Sequence, residues 1–224
     1  MGTKALRGRE NWQNEGGQKA IIAENEFHGA FLKKFKNSDY EIRSKPKEFA
    51  DIYRSVKLKK GVLDEIYSPK GGYGAHGIQP DYAIDNKKTG KTIYIEIKRQ
   101  DGWTGKCNEH KKDTEGEACD KLSNKHHKYC SINMAAGRGN AHERSCKYFT
   151  PGLQKILRKH GKMGENILPF WLVIQGGIGV DPKRVREITM WFDGNESNFF
   201  FWRDTSNEKS LMSHFNKKLR KFLE

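Results

Sequence analysis

One hairpin motif constrains the fold of this chain more than any other segment. Residues 80–98 read P-D-Y-A-I-D-N-K-K-T-G-K-T-I-Y-I-E-I-K. The stretch 81–85 alternates polar with apolar side chains, and the stretch 92–98 is rich in isoleucine and aromatic residues, which is typical of strands. Between them, residues 86–90 supply turn chemistry. The motif therefore predicts a β-hairpin.

Charged side chains of this hairpin are predicted to converge on one edge. Successive side chains of a strand alternate faces, so Glu96 and Lys98 share a face, and pairing across the hairpin can bring Asp81 to the same edge. Two carboxylates and an ammonium suit a hard divalent cation and a water molecule, an arrangement that hydrolyses phosphodiesters. The alternative is an ordinary amphipathic hairpin with a solvated charge face.

The charge balance of the chain favours a polyanionic partner. Lys and Arg number 42 against 28 Asp and Glu, a formal charge of +14 over 224 residues. For a protein this basic, nucleic acid is the leading candidate. Aromatic residues make up 11% of the chain, which favours a folded domain over a disordered basic tail.

Targeting signals are not apparent in the sequence. No stretch approaches the roughly 20 apolar residues that span a bilayer. The basic residues 1–9 lead to no apolar segment, so we expect neither a signal peptide nor a membrane partner. The four cysteines are therefore expected to stay reduced in a cytoplasmic protein.

Hydrophobic periodicity predicts an α/β fold with a mixed sheet flanked by helices. Besides the first hairpin, a continuous apolar run at residues 167–175 predicts a buried central strand. Residues 186–192 and 198–203 alternate and predict a second hairpin. Helices are predicted at residues 18–35, 46–56, 62–67, 140–159 with a break at Pro151, and 210–223, and a glycine-rich loop at residues 71–77.

A second motif, residues 137–144, reads G-R-G-N-A-H-E-R. Glycines allow close backbone approach to a ligand, and Asn, Glu and Arg side chains can read base edges in the major groove. The alternative is a capped helix start, with Asn140 as the cap and Glu143 at the third helical position. The local pattern alone does not decide between them.

Both motifs resemble those of the EcoRI/MunI family of type II restriction endonucleases, in the PD-(D/E)xK superfamily, and most closely the MunI branch. The resemblance includes A-G-R-G-N-A-H-E-R-S-C-K, I-K-R-Q-D-G-W, F-T-P-G-L, L-P-F-W and D-P-K-R-V-R-E-I-T. It runs from Gly8 to the last predicted helix, and only residues 104–135 stand apart. We expect one endonuclease domain over residues 1–224, with a restriction-endonuclease-like core and a polar insertion at about residues 104–135.

This resemblance implies catalytic roles for the first motif. Asp81 and Glu96 would hold magnesium, with the carbonyl of Ile97 as a further ligand. Lys98 would position or activate the attacking water and balance the charge of the transition state. Glu65, on the helix predicted before the glycine-rich loop, would either join the metal's water shell or be a solvated helix residue.

The resemblance also implies a partner and a recognition site. A prokaryotic homodimer would cut double-stranded DNA at a palindrome centred on AATT, and a cognate DNA methyltransferase would act on the same site without stable binding. Arg138 between two glycines favours CAATTG, by reading the outer C·G pair, over GAATTC. The residues expected to contact DNA are Arg138, Gly139, Asn140, Ala141, His142, Glu143 and Arg144.

The polar insertion carries metal-ligating residue types. A structural zinc there would explain how so polar a segment folds, but the spacing matches no standard zinc finger, and a plain loop is the alternative. The candidate ligands are Cys107, His110, Cys119, His126, His127 and Cys130.

Two other functional classes remain open at this point. A DNA-binding protein without catalysis could use the same basic surface, but it would gain nothing from acids placed near phosphates. A structure-selective repair nuclease would need the acids but not the residues 137–144 motif.

Overall fold

The centre of the protein is a five-stranded mixed sheet. The computed structural model describes residues 4–49, 52, 61, 79–100, 146–164, 170–180, 182–192, 195–202 and 207–224. Within them the sheet order is β1-β2-β3-β4-β5. The first three strands are antiparallel neighbours and the last three parallel ones, which confirms the predicted mixed sheet. The strands are β1 Tyr40–Ser44, β2 Tyr82–Asn86, β3 Thr92–Arg99, β4 Phe170–Gln175 and β5 Phe199–Trp202.

Helices cover both faces of this sheet. They are α1 Lys4–Phe35, α2 Pro151–His160, α3 Pro182–Trp191 and α4 Glu208–His214, which continues as a π-helical turn, Phe215–Leu219, and a 3₁₀ turn, Arg220–Phe222. Side chains of α1 and of the C-terminal segment share one hydrophobic cluster with β2, β3 and β4. Side chains of α2 and of α3 pack in two clusters on the opposite face.

No helix in the described part of the chain is long and apolar enough to cross a membrane.

Helix α1 contains the helix predicted at residues 18–35 and extends it towards the N-terminus. Ala23, Phe27 and Phe31 are fully buried at helical spacing, which places one face of the helix on the sheet. The helix ends at Phe35, where Asn37 adopts a left-handed φ of 63° and Ser38 N–H donates to the Phe35 carbonyl at 3.0 Å. Strand β1 follows at once; the sequence pattern had not indicated it.

The first hairpin is confirmed as β2 and β3. Tyr82 pairs with Ile95, and Ile84 pairs with Ile93. At the turn, Gly90 has a φ of +68°, a left-handed conformation that glycine adopts without steric cost. Strand β3 is buried on both faces for most of its length because α1 covers one face and α2 lies against the other.

The second predicted hairpin is wrong in its first half. Residues 186–192 lie in and just after α3, and β5 runs parallel to β4, so α3 belongs to a crossover between two parallel strands. Ile188 and Phe192 are buried at helical spacing, whereas Met190 between them is 77% exposed. A strand would have placed all three on one face. The alternation of apolar residues was therefore coincidental.

Pro151 begins a helix instead of breaking one. Helix α2 has Pro151 in its first turn, where its missing N–H would have no helical partner, and a separate 3₁₀ turn, Cys146–Phe149, precedes it. Of the helix predicted at residues 46–56, the structure describes a 3₁₀ turn, Lys47–Phe49. The predictions for residues 62–67, 71–77 and 140–145 lie outside the described residues.

Candidate active site

Asp81 lies at the start of β2 and faces β3. Continuing the β2–β3 register by one residue beyond Tyr82 and Ile95 sets Asp81 opposite Glu96. Its side chain is nearly buried, and its Oδ2 accepts a hydrogen bond of 2.8 Å from the amide of Ile97. The backbone of β3 therefore fixes the orientation of this carboxylate.

Glu96 and Lys98 lie next to each other on β3, as the alternation of strand side chains predicts. The ammonium of Lys98 donates to Oε1 of Glu96. Glu96 is 5% exposed, and its Oε2 is buried and accepts no hydrogen bond from the residues that the structure describes. A buried carboxylate oxygen without a partner is costly unless a ligand satisfies it.

The end of β3 is anchored directly after Lys98. The amide of Gln100 donates to the Gln175 carbonyl at 2.8 Å, and the Gln100 carbonyl accepts from the amide of Ile178 at 3.1 Å. The guanidinium of Arg99 donates to Oε1 of Gln175 at 2.7 Å. These contacts tie the end of β3 to β4 and to the turn that follows β4, and so fix the backbone next to Lys98.

Two charged residues that the sequence did not indicate lie beside Asp81. Nζ of Lys45 donates to Oδ1 of Asp81 at 2.6 Å and lies 3.5 Å from Oε2 of Glu24. Glu24 lies on α1, and its backbone carbonyl accepts a hydrogen bond of 3.1 Å from the Tyr82 hydroxyl. The ring of His28, one turn on, stacks on Tyr82 with centroids 5.1 Å apart. No local pattern marks these residues because tertiary packing brings α1 and β1 to the hairpin.

The close packing of these charged groups shifts the pKa values of several side chains. Burial, followed by the charge of Asp81, raises the pKa of Glu24 above its usual value. Burial lowers the pKa of Lys45, but its hydrogen bond to Asp81 and the charges of Asp81 and Glu24 outweigh that effect and raise it overall. Burial, followed by the charge of Asp81, also raises the pKa of Tyr148. The tyrosine therefore stays neutral and Lys45 stays charged at neutral pH.

The site fits a magnesium ion by its donor chemistry. Asp81 and Glu96 offer hard carboxylate oxygens, and the unpaired Oε2 of Glu96 provides a buried acceptor for a cation. Within the described ranges, no group of three or more His, Cys, Asp or Glu side chains is arranged to hold a metal ion. Magnesium does not require such a group, because it usually keeps several waters and binds through one or two carboxylates.

Several predicted site residues lie outside the described residues, and the structure does not test them. Glu65 is one of them. The others are the expected DNA contacts Arg138, Gly139, Asn140, Ala141, His142, Glu143 and Arg144, and the candidate zinc ligands Cys107, His110, Cys119, His126, His127 and Cys130.

The chemical capacity of the described site follows from its charges. Two oriented carboxylates can hold a divalent cation, and an adjacent ammonium can position a water molecule and offset negative charge that develops on a phosphate. An ordinary solvated charge face would leave these groups exposed. Here Asp81 and Glu96 are buried, and Asp81 is fixed by a backbone amide.

Comparisons with known proteins agree with one another. The family model for "Type II restriction enzyme MunI" matches residues 1–130 and 128–224 of the chain. The type II restriction enzyme MunI of Mycoplasma sp is 42% identical over 227 residues, which cover 100% of both chains. The crystal structure of MunI restriction endonuclease in complex with cognate DNA superposes with a TM-score of 0.62 at 42% identity, covering 85% of each chain.

Proposed function

The chain belongs to the MunI family of type II restriction enzymes, and we propose that it cleaves both strands of DNA at CAATTG in a magnesium-dependent reaction. One observation carries the catalytic part of the proposal: the amide of Ile97 fixes the buried carboxylate of Asp81 beside the Glu96–Lys98 pair. The structural likeness extends to an enzyme crystallised with its cognate DNA, which supports duplex DNA as the substrate.

Asp81, Glu96 and the carbonyl of Ile97 would hold the magnesium ion. When bound there, magnesium supplies positive charge that stabilises the pentacoordinate transition state of phosphodiester hydrolysis. Lys98, held by Glu96, would orient the attacking water and offset charge on the phosphate. The hydrogen bond of the Gln100 amide to the Gln175 carbonyl fixes the backbone of β3 next to Lys98.

Recognition of the site is assigned to the residues 138–144 segment. Its similarity to the family's G-N-A-x-E-R motif supports Asn140, Ala141, Glu143 and Arg144 as readers of AATT. Arg138 can donate twice to guanine O6 and N7, which supports an outer C·G pair. A GAATTC-specific enzyme is the alternative, and at 42% identity the family likeness alone does not choose between the two sites.

A palindromic site calls for a two-fold symmetric protein, because two identical surfaces read the half-sites and two active sites cut the two strands. The enzyme is therefore proposed to act as a homodimer, in cytoplasm that also contains a methyltransferase for the same sequence. Sedimentation of the protein on cognate duplex should give two chains per DNA. A single chain per duplex would refute the dimer.

Residues 1–224 are proposed to form one endonuclease domain that contains the polar insertion. For the insertion, a zinc-bound subdomain and a plain loop remain the two alternatives. Metal analysis of protein purified without chelators separates them: about one zinc per chain, lost on replacing Cys107 or Cys130, supports the first, and its absence supports the second.

Digestion of supercoiled plasmid tests the function. With magnesium, the enzyme should linearise a plasmid that carries one CAATTG site and leave a site-free plasmid intact, and a chelator should stop the reaction. Binding without cutting would favour a non-catalytic DNA-binding protein. Cutting that depends on DNA structure and not on sequence would favour a repair nuclease.

A further inference from the structure

Lys45 occupies an unusual position for a residue outside the predicted catalytic set. Its ammonium is hydrogen-bonded to Oδ1 of Asp81 at 2.6 Å, so it lies against one of the carboxylates expected to hold the metal. Oδ2 of the same carboxylate already accepts from the Ile97 amide. Of the two carboxylate oxygens, Oδ2 is thus fixed by the backbone of β3 and Oδ1 by the Lys45 ammonium, which would compete with a cation for that oxygen.

The backbone of Lys45 also contacts Asp81. Lys45 has a left-handed φ of 44°, which is strained for a residue with a side chain, and its amide donates to the Asp81 carbonyl at 2.8 Å. Main chain and side chain of one residue thus both contact Asp81.

Glu24 offers the ammonium of Lys45 a second carboxylate partner. Oε2 of Glu24 lies 3.5 Å from Nζ of Lys45. Among the described residues, the Lys45 side chain is half exposed and lines an open groove of about 580 Å³ formed by residues 43–48. A shift of the ammonium towards Glu24 would release Oδ1 of Asp81 without leaving the lysine unpaired.

We propose that Lys45 is a positioning residue. In the metal-free enzyme its ammonium pairs with Asp81 where the cation would bind, and when the metal binds the ammonium moves to Glu24. This inference rests on the proposed metal site. In the metal-free state the ammonium offsets the repulsion between the clustered acids. On metal entry, Glu24 retains the lysine and limits its repulsion of the incoming cation.

Binding of Mn²⁺ alone to the full-length protein, measured by electron paramagnetic resonance, tests the exchange. Lys45→Met keeps an unbranched side chain at the strained backbone position but removes the charge. It should bind Mn²⁺ about tenfold more tightly than wild type, since a charge-assisted hydrogen bond no longer competes. Lys45→Arg should stay within about threefold of wild type. Lys47→Met, a matched charge loss at an exposed neighbour two residues on, should also stay near wild type.

A double-mutant cycle tests the part assigned to Glu24. Glu24→Gln should weaken Mn²⁺ binding by a larger factor in protein with Lys45 than in the Lys45→Met variant, because only a displaced lysine needs the carboxylate. We expect the two factors to differ at least about threefold. Equal factors in the two backgrounds would overturn the assignment of Glu24 as the receiving group.

Thermal unfolding gives a readout independent of metal titration and shows that the variants fold. In chelator, Lys45→Met should melt about 2–4 °C below wild type, because the acids lose their counter-ion. Saturating Mn²⁺ should narrow this gap, since the cation replaces the ammonium on Asp81. An equal gap with and without Mn²⁺ would contradict the exchange.

The outcomes separate this inference from the proposed function. If Asp81→Asn does not reduce Mn²⁺ binding, the proposed metal site is wrong and the inference fails with it. If binding depends on Asp81 but Lys45→Met binds Mn²⁺ no more tightly than wild type, the inference alone fails.

Discussion

The amide of Ile97 donates a hydrogen bond of 2.8 Å to Oδ2 of Asp81. This bond joins the two halves of the hairpin motif, which are 16 residues apart in sequence. It fixes the carboxylate of Asp81 on the backbone of Ile97, the residue whose carbonyl is proposed as the third metal ligand, in the register that sets Asp81 opposite Glu96. The geometry of the proposed metal site therefore depends on the pairing of β2 with β3.

Replacing either acid should stop cleavage and preserve the fold. Asp81→Ala and Glu96→Ala each remove a proposed metal ligand, so we expect cleavage rates to fall by about a thousandfold or more. Single-turnover digestion of plasmid with magnesium measures the loss. Asp39→Ala removes an exposed acid that pairs with Lys88 at the surface and should cut normally. Near-normal cutting by Asp81→Ala would overturn the catalytic assignment.

Loss of the ammonium should separate chemistry from metal binding. Lys98→Ala removes the group proposed to orient water but leaves both carboxylates, so cleavage should fall by about a hundredfold or more while Mn²⁺ still binds. Lys88→Ala provides the control, because this exposed lysine pairs with Asp39 away from the site. Full activity of Lys98→Ala would show that the pair with Glu96 is structural.

The hairpin could be predicted from sequence because its information is local. Strand alternation predicted that Glu96 and Lys98 share a face, and pairing across the turn predicted that Asp81 lies near them. Glu24 and Lys45 could not be found this way, since their positions depend on how α1 and β1 pack against the hairpin. The strand predicted at residues 186–192 was wrong for the opposite reason, because it rested on local alternation alone. In the folded protein this segment is helical and buries Ile188 against the sheet.

Two substitutions in α3 test whether this segment packs as a helix. Ile188 is fully buried, so Ile188→Ala should lower the free energy of unfolding by about 2–4 kcal/mol through a cavity. Met190 is 77% exposed, and Met190→Ala should change it by less than about 0.5 kcal/mol. Urea unfolding of both variants measures the difference. Similar losses at the two positions would support the strand instead.

His214 should make the protein less stable in acid. Burial, followed by the charge of Lys218, lowers the pKa of His214 to about 4, and its ring stacks on Trp171 and Phe200. Below pH 6.5 the unfolded chain takes up a proton at this residue and the folded chain does not. The stability present above pH 6.5 is therefore lost as the pH falls from 6.5 towards 4.

The size of this effect can be measured against a variant that does not titrate. Because the ring is only partly buried, we expect wild type to lose about 1–2 kcal/mol more than His214→Phe between pH 7 and pH 4.5. Urea unfolding at a series of pH values gives both curves. Parallel curves for the two proteins would show that His214 does not stay neutral in the folded state.

Digestion of one plasmid that carries a single CAATTG site and a single GAATTC site, followed by sequencing of the ends, tests the account most directly. We predict magnesium-dependent cutting at CAATTG alone, after the outer base, with four-base 5′ AATT overhangs. Arg138→Ala should lose about 1–3 kcal/mol of discrimination at the outer pair without losing the chemistry. Cutting at GAATTC alone would contradict the role of Arg138, and no magnesium-dependent cutting at either site would contradict the account as a whole.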